Sequence, residues 1–254
     1  MCLRCYALSR RAVLGTLAAA LAACSDNAET GRRQLAFVPD DQLAQLADQA
    51  WAELRNRVPV SEDPALTERL ARVGRPLAEA TGRDDLDWEF VVFDSEDLNA
   101  FVLPNGKVGF FRGLMALAAD DDELGSVMSH EAAHILARHP SERVSQQLAV
   151  RAGVSLASVL LGGENGENAD LVAGALGLGA SLGVLLPYSR EHELEADRIG
   201  VALMRRVGLD PAGALRFWEK MIAHPSRQGQ PPEALATHPA DDRRLEALRA
   251  AVEA

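Results

Sequence analysis

Ser129-His130-Glu131-Ala132-Ala133-His134-Ile135 is the stretch that decides the fold. On an α-helix, residues i and i+4 stand one above the other, so His130 and His134 present two imidazoles to one ion. Glu131 is turned about 100° from His130, close enough to serve a water without being a ligand. Neutral imidazoles suit zinc, and a catalytic zinc has three protein ligands and one open position. The pattern therefore predicts one zinc per chain, a third ligand elsewhere and Glu131 as general base.

The chain has 254 residues, 48% of them hydrophobic and 25% charged, enough for one full-sized core. Aromatics make up only 5%, so helices should dominate. The formal net charge is −11, and residues 1–23 hold three arginines and no acid, so the remainder is more acidic still. Such a body has no general attraction for nucleic acid or anionic lipid, and no nucleic-acid partner is expected.

Residues 1–23 read as a signal peptide. Arg10-Arg11 precede the apolar run Ala12 to Ala23, the order of a bacterial export signal. Ser9-Arg10-Arg11-Ala12-Val13-Leu14 resembles a twin-arginine signal, although ordinary signals also carry adjacent arginines. Leu21-Ala22-Ala23-Cys24 looks like a lipobox, which makes Cys24 the lipidated first residue of the mature protein. Ser25 after it favours the outer over the inner membrane. Cys2 and Cys5 fall in the part expected to be removed, leaving the domain no thiol for a disulfide. Residues 24–38 are polar and read as a tether, followed by a single domain over 39–254.

Leu43, Leu46, Ala47, Ala50, Trp51 and Leu54 mark one helical stripe, and Leu66, Leu70, Val73 and Leu77 another. From Trp88 to Phe111 the period changes to that of strands, with Asn105-Gly106 as a hairpin turn in which both residues accept positive φ. The expectation is an α+β, mainly helical fold, with a small antiparallel sheet just before the metal helix. That helix opens at Asp120 to Glu123 and stops at Pro140. Two Ala/Gly/Leu-rich runs within 148–186 read as soluble helices, since 16 residues without a charge fall short of the roughly 20 that span a bilayer. His139 and His224, each before a proline, read as surface histidines.

The helix Ser189 to Val207, capped by Gly208, offers Glu191, Glu193 and Glu195 as third ligand. Glu193 has Asp197 four residues on, on the same face, so a ligand and a carboxylate that holds a zinc histidine by its free N–H stand side by side. Glu195 points about 200° away, and Glu191 lies in the fraying first turn. Glu193 is the choice, and His192 faces away from it.

His130-Glu131-Ala132-Ala133-His134 and, some sixty residues on, Ser189-Arg190-Glu191-His192-Glu193-Leu194-Glu195-Ala196-Asp197 resemble the HtpX/BepA-like metallopeptidases, gluzincins related to the CAAX prenyl proteases. Asn99-Ala100-Phe101-Val102-Leu103-Pro104-Asn105-Gly106 is similar to the strand before the metal helix in that family, and Thr237-His238-Pro239 with Arg243-Arg244 to its closing segment. The resemblance implies a zinc held by His130, His134 and Glu193, with Glu131 as base. It also puts His238 over the metal in a self-inhibited resting state. The membrane helices of one relative and the helical-repeat tail of the other have no counterpart, as in a short lipid-anchored branch, so partner recognition does not carry over.

The expected mechanism is attack on a peptide carbonyl by a water that Glu131 deprotonates, the oxyanion being met by Arg244 or His238. Ala100, Phe101, Val102 and Leu103 are the edge on which an extended substrate would add. The expected function is a periplasm-facing lipoprotein endopeptidase that cleaves unfolded or misassembled envelope polypeptides. The alternative is a periplasmic chaperone or assembly factor for outer-membrane proteins with latent proteolysis. Cys24→Ala should leave the protein unlipidated, released from membranes in fractionation and still able to bind metal. Membrane retention of that variant would point to residues 148–186 instead.

Overall fold

The computed structural model describes residues 24–149, 188–224, 232–239 and 241–254. Residues 1–23, read above as an export signal, and most of the 148–186 pair of runs lie outside these residues. β1 (Cys24–Asp26) and β2 (Arg33–Leu35) form an antiparallel hairpin. Helices α1 (Asp40–Arg57) and α2 (Pro64–Ala80) follow, then strands β3 (Glu89–Phe93), β4 (Ala100–Val102) and β5 (Lys107–Phe111). The short α3 (Arg112–Leu117) leads into the metal-binding pattern on α4 (Asp121–Leu136). A helix α5 is described from residue 139 to 149, and α6 (Arg190–Arg206), α7 (Ala212–Ala223), α8 (Glu233–Thr237) and α9 (Asp242–Glu253) complete the chain. No helix among the described residues is long and apolar enough to cross a membrane.

The fold is mainly helical with one small sheet, in the order β3-β5-β4. Only one of its two pairings is antiparallel. β4 runs against β5, with Phe101 opposite Gly109, whereas β3 runs parallel to β5, with Phe93 opposite Phe111. The physical reason is that β5 is buried on both faces, Val108 and Phe110 in one core and Phe111 in the other, so it takes the centre and β4 must pass to its far side.

The sheet separates two cores by strand alternation. Val91, Phe93, Phe101, Leu103 and Phe111 face α1, where Trp51 meets Phe93 edge-on at 5.6 Å. Val92, Ala100, Val102, Val108 and Phe110 face α2 and α4, packing with Leu70, Leu77, Leu124, Met128 and Ala132. The Asn-Gly hairpin forms where the sequence placed it. Gly106 alone takes positive φ (87°), its N–H bonding Leu103 O at 2.9 Å while Leu103 N–H meets Lys107 O at 2.8 Å. Pro104 fixes the first bend of the three-residue loop Pro104-Asn105-Gly106.

Helix α4 starts where expected, Asp120 accepting from Glu123 N–H at 2.8 Å with three acids in the first turn. It ends at Leu136, four residues before Pro140, because Arg138 turns the chain at φ 54°. Pro140 instead stands in the first turn of α5, where its missing N–H costs nothing.

Residues 24–38 are not a free tether. Asn27 Nδ2 donates to Leu136 O at 3.3 Å and Gln34 Nε2 to Ala137 O at 2.7 Å, so the hairpin satisfies carbonyls that the end of α4 leaves without helical partners. Its polar residues read as solvated because their partners lie a hundred residues away in sequence.

Candidate metal centre

Helix α6 lies against α4, with the two backbones in close contact at Gly200. A Cβ there would stand 3.2 Å from His130 N and 3.3 Å from its Cα, so a side chain would push the two helices apart. This contact brings Glu193, buried on the first turn of α6, against the two histidines. The short α8 then delivers His238, whose segment is held by Tyr188 N–H to Thr237 O (2.8 Å) and Ala234 N–H to Leu98 O (3.0 Å).

One donor atom each from His130, His134, Glu193 and His238 lie within 4.8 Å of one another, and all four residues are buried. His130 Nε2 is 3.1 Å from His134 Nε2 and 3.3 Å from His238 Nδ1. Glu193 Oε1 is 3.1 Å from His238 Nδ1 and 3.5 Å from His134 Nε2. Four donors around a tetrahedral zinc at roughly 2.0–2.1 Å stand about 3.3 Å apart, and these separations scatter about that value. Neutral imidazoles cannot satisfy so many inward-facing lone pairs among themselves. The donor set fits zinc.

The electrostatics draw positive charge to the same place. Burial alone would lower His130, but hydrogen bonds to Asp197 and Glu193 outweigh it and push its pKa up to about 10. Burial likewise opposes ionisation of Glu193, yet Arg244 and His238 hold it well below the usual carboxylate range. Glu131, beside the centre, is pushed upward chiefly by burial. Its Oε1 is 3.5 Å from His238 Nε2.

Asp197 Oδ1 lies 2.9 Å from His130 Nδ1, orienting the ring from behind. Arg244 is not aimed at a reacting oxygen, as the sequence had suggested. Its Nε and Nη2 reach both oxygens of Asp197 at 2.8 and 2.9 Å, Nη1 is 2.6 Å from Glu193 Oε2 and 3.2 Å from His238 O, and its plane covers Trp218 at 4.1 Å. With its donors committed to carboxylates and carbonyls, it organises the ligands instead of binding an oxyanion. Ala100, Phe101 and Val102 form β4, an edge strand of the sheet, and Leu103 follows it, but all four are buried. Ala100 also borders a cleft of about 550 Å³ that reaches His130, Glu131 and His238 and is walled by Leu114, Val127, Met204, Phe217 and Trp218.

Residues that sequence reasoning missed surround His134. His139, read as a surface residue, is fully buried, with Nδ1 2.8 Å from His134 Nδ1 and Nε2 2.9 Å from Glu195 Oε2. Arg32 bridges Glu195 (Nε to Oε1, 2.9 Å) and Glu142 (Nη1 and Nη2, 2.9 and 2.7 Å). His192, facing away from Glu193 as read, meets Glu142 Oε2 at 3.1 Å. Tyr188 stacks on His134 at 3.9 Å. His224 caps the end of α7 and is half-buried. The only sequence signal for His139 was its place one helix end after His134.

Two imidazoles one turn apart on one helix, a glutamate from a second and an unliganded acid beside the first histidine define a gluzincin metal centre. Residues 64–252 match the model of Peptidase family M48. The chain belongs to this family of zinc metallopeptidases. It is 34% identical over 220 residues to the mitochondrial metalloendopeptidase OMA1 of Schizosaccharomyces pombe, covering 85% of this chain and 63% of that one. With the beta-barrel assembly-enhancing protease of Escherichia coli K12 it shares 30% over 207 residues, 80% of this chain and 42% of the relative. With bovine mitochondrial OMA1 it shares 32% over 232 residues, 86% and 44% of the two chains. The chain thus spans less than two thirds of the length of these relatives.

The Arg32 bridge has a pH signature. Burial would raise Glu142, but hydrogen bonds from Arg32 and His192 hold it at about 2 against an ordinary 4.5. A lowered carboxyl contributes stability that is complete above the unfolded value and is lost as pH falls through the folded one. Arg32→Ala should therefore melt below the parent at pH 6, and the gap should narrow between pH 4.5 and 3. Melts of the two proteins across that range check it; a gap that widens on acidification contradicts it.

Proposed function

We propose that the chain is a zinc-dependent endopeptidase acting on unfolded or misassembled envelope proteins, held at rest by His238 and anchored through a lipid on Cys24. The observation that carries the peptidase activity is Glu131, a buried carboxyl beside the four-donor centre and at the wall of the cleft. Holding a metal does not require that side chain, whereas hydrolysis requires a base there. Zinc, when bound, supplies Lewis acidity that activates water and polarises the scissile carbonyl. Glu131 takes the water's proton at a carboxylate oxygen and returns it to the leaving amide nitrogen. Asp197 fixes His130 in the tautomer whose Nε2 is free to ligate, and Arg244 keeps Asp197 and Glu193 ionised. The walls of the cleft are largely apolar, and β4 is the strand against which an extended peptide would pair.

Self-inhibition is supported by the separations at His238, which stands among the ligands as closely as they stand to one another. A zinc with four protein ligands has no place for an attacking water. The burial of β4 fits the same resting state. The envelope substrates are supported by the lipobox at 21–24 and by the name of the Escherichia coli relative, a beta-barrel assembly-enhancing protease. The same lipobox, with Ser25 after Cys24, is the support for an outer-membrane lipoprotein facing the periplasm.

Glu131→Gln should retain zinc and cleave casein or an unfolded envelope protein roughly 10²- to 10⁴-fold more slowly. Undiminished cleavage would remove Glu131 from the mechanism. His238→Ala should cleave faster than the parent if the histidine is a latch. A rate one or two orders of magnitude lower would make His238 the oxyanion donor.

A further inference from the structure

We infer that His139 is a positioning residue for the zinc ligand His134, through a directional chain of hydrogen bonds that ends on Arg32 of the N-terminal hairpin. The inference rests on the zinc-site assignment above.

The chain leaves no choice of tautomer. His134 turns Nε2 toward the other donors, 3.1 Å from His130 Nε2, so to ligate it must carry its proton on Nδ1. That Nδ1 is 2.8 Å from His139 Nδ1, which must accept and so be unprotonated. The proton of neutral His139 then sits on Nε2, which donates to Glu195 Oε2 at 2.9 Å. Glu195 is a fixed acceptor because Arg32 grips both its oxygens, Nε at 2.9 Å and Nη2 at 3.2 Å, while holding Glu142 with its other face. Arg32 keeps its place because the hairpin is docked on the end of α4 through Asn27 and Gln34. Every member but Arg32 and Glu195 is fully buried, so water cannot replace the imidazole as acceptor.

The two zinc histidines are thus supported differently. His130 leans directly on a carboxylate, Asp197. His134 reaches its carboxylate, Glu195, through a second imidazole. The difference has a geometric cause. Glu195 lies two residues from Glu193 and points to the other side of α6, too far round to touch His134 itself. The turn at Arg138 swings His139 back under His134 and fills the gap. Packing alone would ask only for a flat ring at this position, whereas the chain asks for an acceptor at Nδ1.

Zinc affinity of the full chain, measured by competition with a chromophoric chelator, and melting of the zinc-free protein test this together. His139→Leu removes the acceptor and should weaken zinc roughly 10- to 100-fold, beyond any change in the zinc-free melt. His139→Asn puts an amide oxygen where Nδ1 stood but gives up the bond to Glu195, so it should lose less affinity than His139→Leu, to about the level of Glu195→Ala. Should His139→Leu fail to fold, Glu195→Ala, at a partly exposed position, takes its place, with an expected loss of roughly 10-fold. Unchanged affinity in the Leu and Ala variants, or equal loss in His139→Leu and His139→Asn, overturns the positioning role. Absence of zinc from the parent, or retention by His134→Ala, overturns the zinc-site assignment itself.

Discussion

Three carboxylates, Glu131, Glu193 and Asp197, are buried around two histidines one helix turn apart, and the rest of the molecule is arranged to make that burial tolerable. Uncompensated, a buried charge costs several kcal/mol even after relaxation. Arg244 answers two of the three, and its own burial is offset by Trp218, Asp197 and Glu193. The remaining demand for positive charge falls on the space between the four donors, and a divalent cation there answers it. Glu131 is the one left without a guanidinium partner and the one whose pKa is pushed up by burial, as a proton carrier needs.

That arrangement depends on backbone contacts more than on the ligands themselves. Gly200 sets how near α6 comes to α4, and the two-sided burial of β5 places β4 at the rim of the cleft. The N-terminal hairpin, at the far end of α4, closes the helix carbonyls and holds the ion-pair chain behind His134. The centre is thus clamped from two directions, by α9 through Arg244 and by the hairpin through Arg32.

Local period carried the sequence reading a long way. Apolar stripes located the helices, and i,i+4 arithmetic sufficed to pair His130 with His134 and Glu193 with Asp197, because each pair shares one helix face. Strand alternation identified β3, β4 and β5 but carries no information on their order, so the parallel β3–β5 pairing was illegible. The same limit hid every partner distant in sequence. Asn27 and Arg32 looked solvated, His139 looked superficial beside a proline, and Arg244 looked available for an oxyanion. In each case the missing fact was which buried group stood opposite, and only the packing of α4, α6 and α9 supplies it.

The central claim is that four side chains, three imidazoles and one carboxylate, surround the ion in the resting protein. X-ray absorption at the zinc edge on the zinc-loaded full chain tests it most directly. The account predicts a four-coordinate shell at about 2.0–2.1 Å, with outer-shell scattering from three imidazole rings, falling to two in His238→Ala. A shell with two imidazoles in the parent, or a six-coordinate oxygen shell, would contradict it.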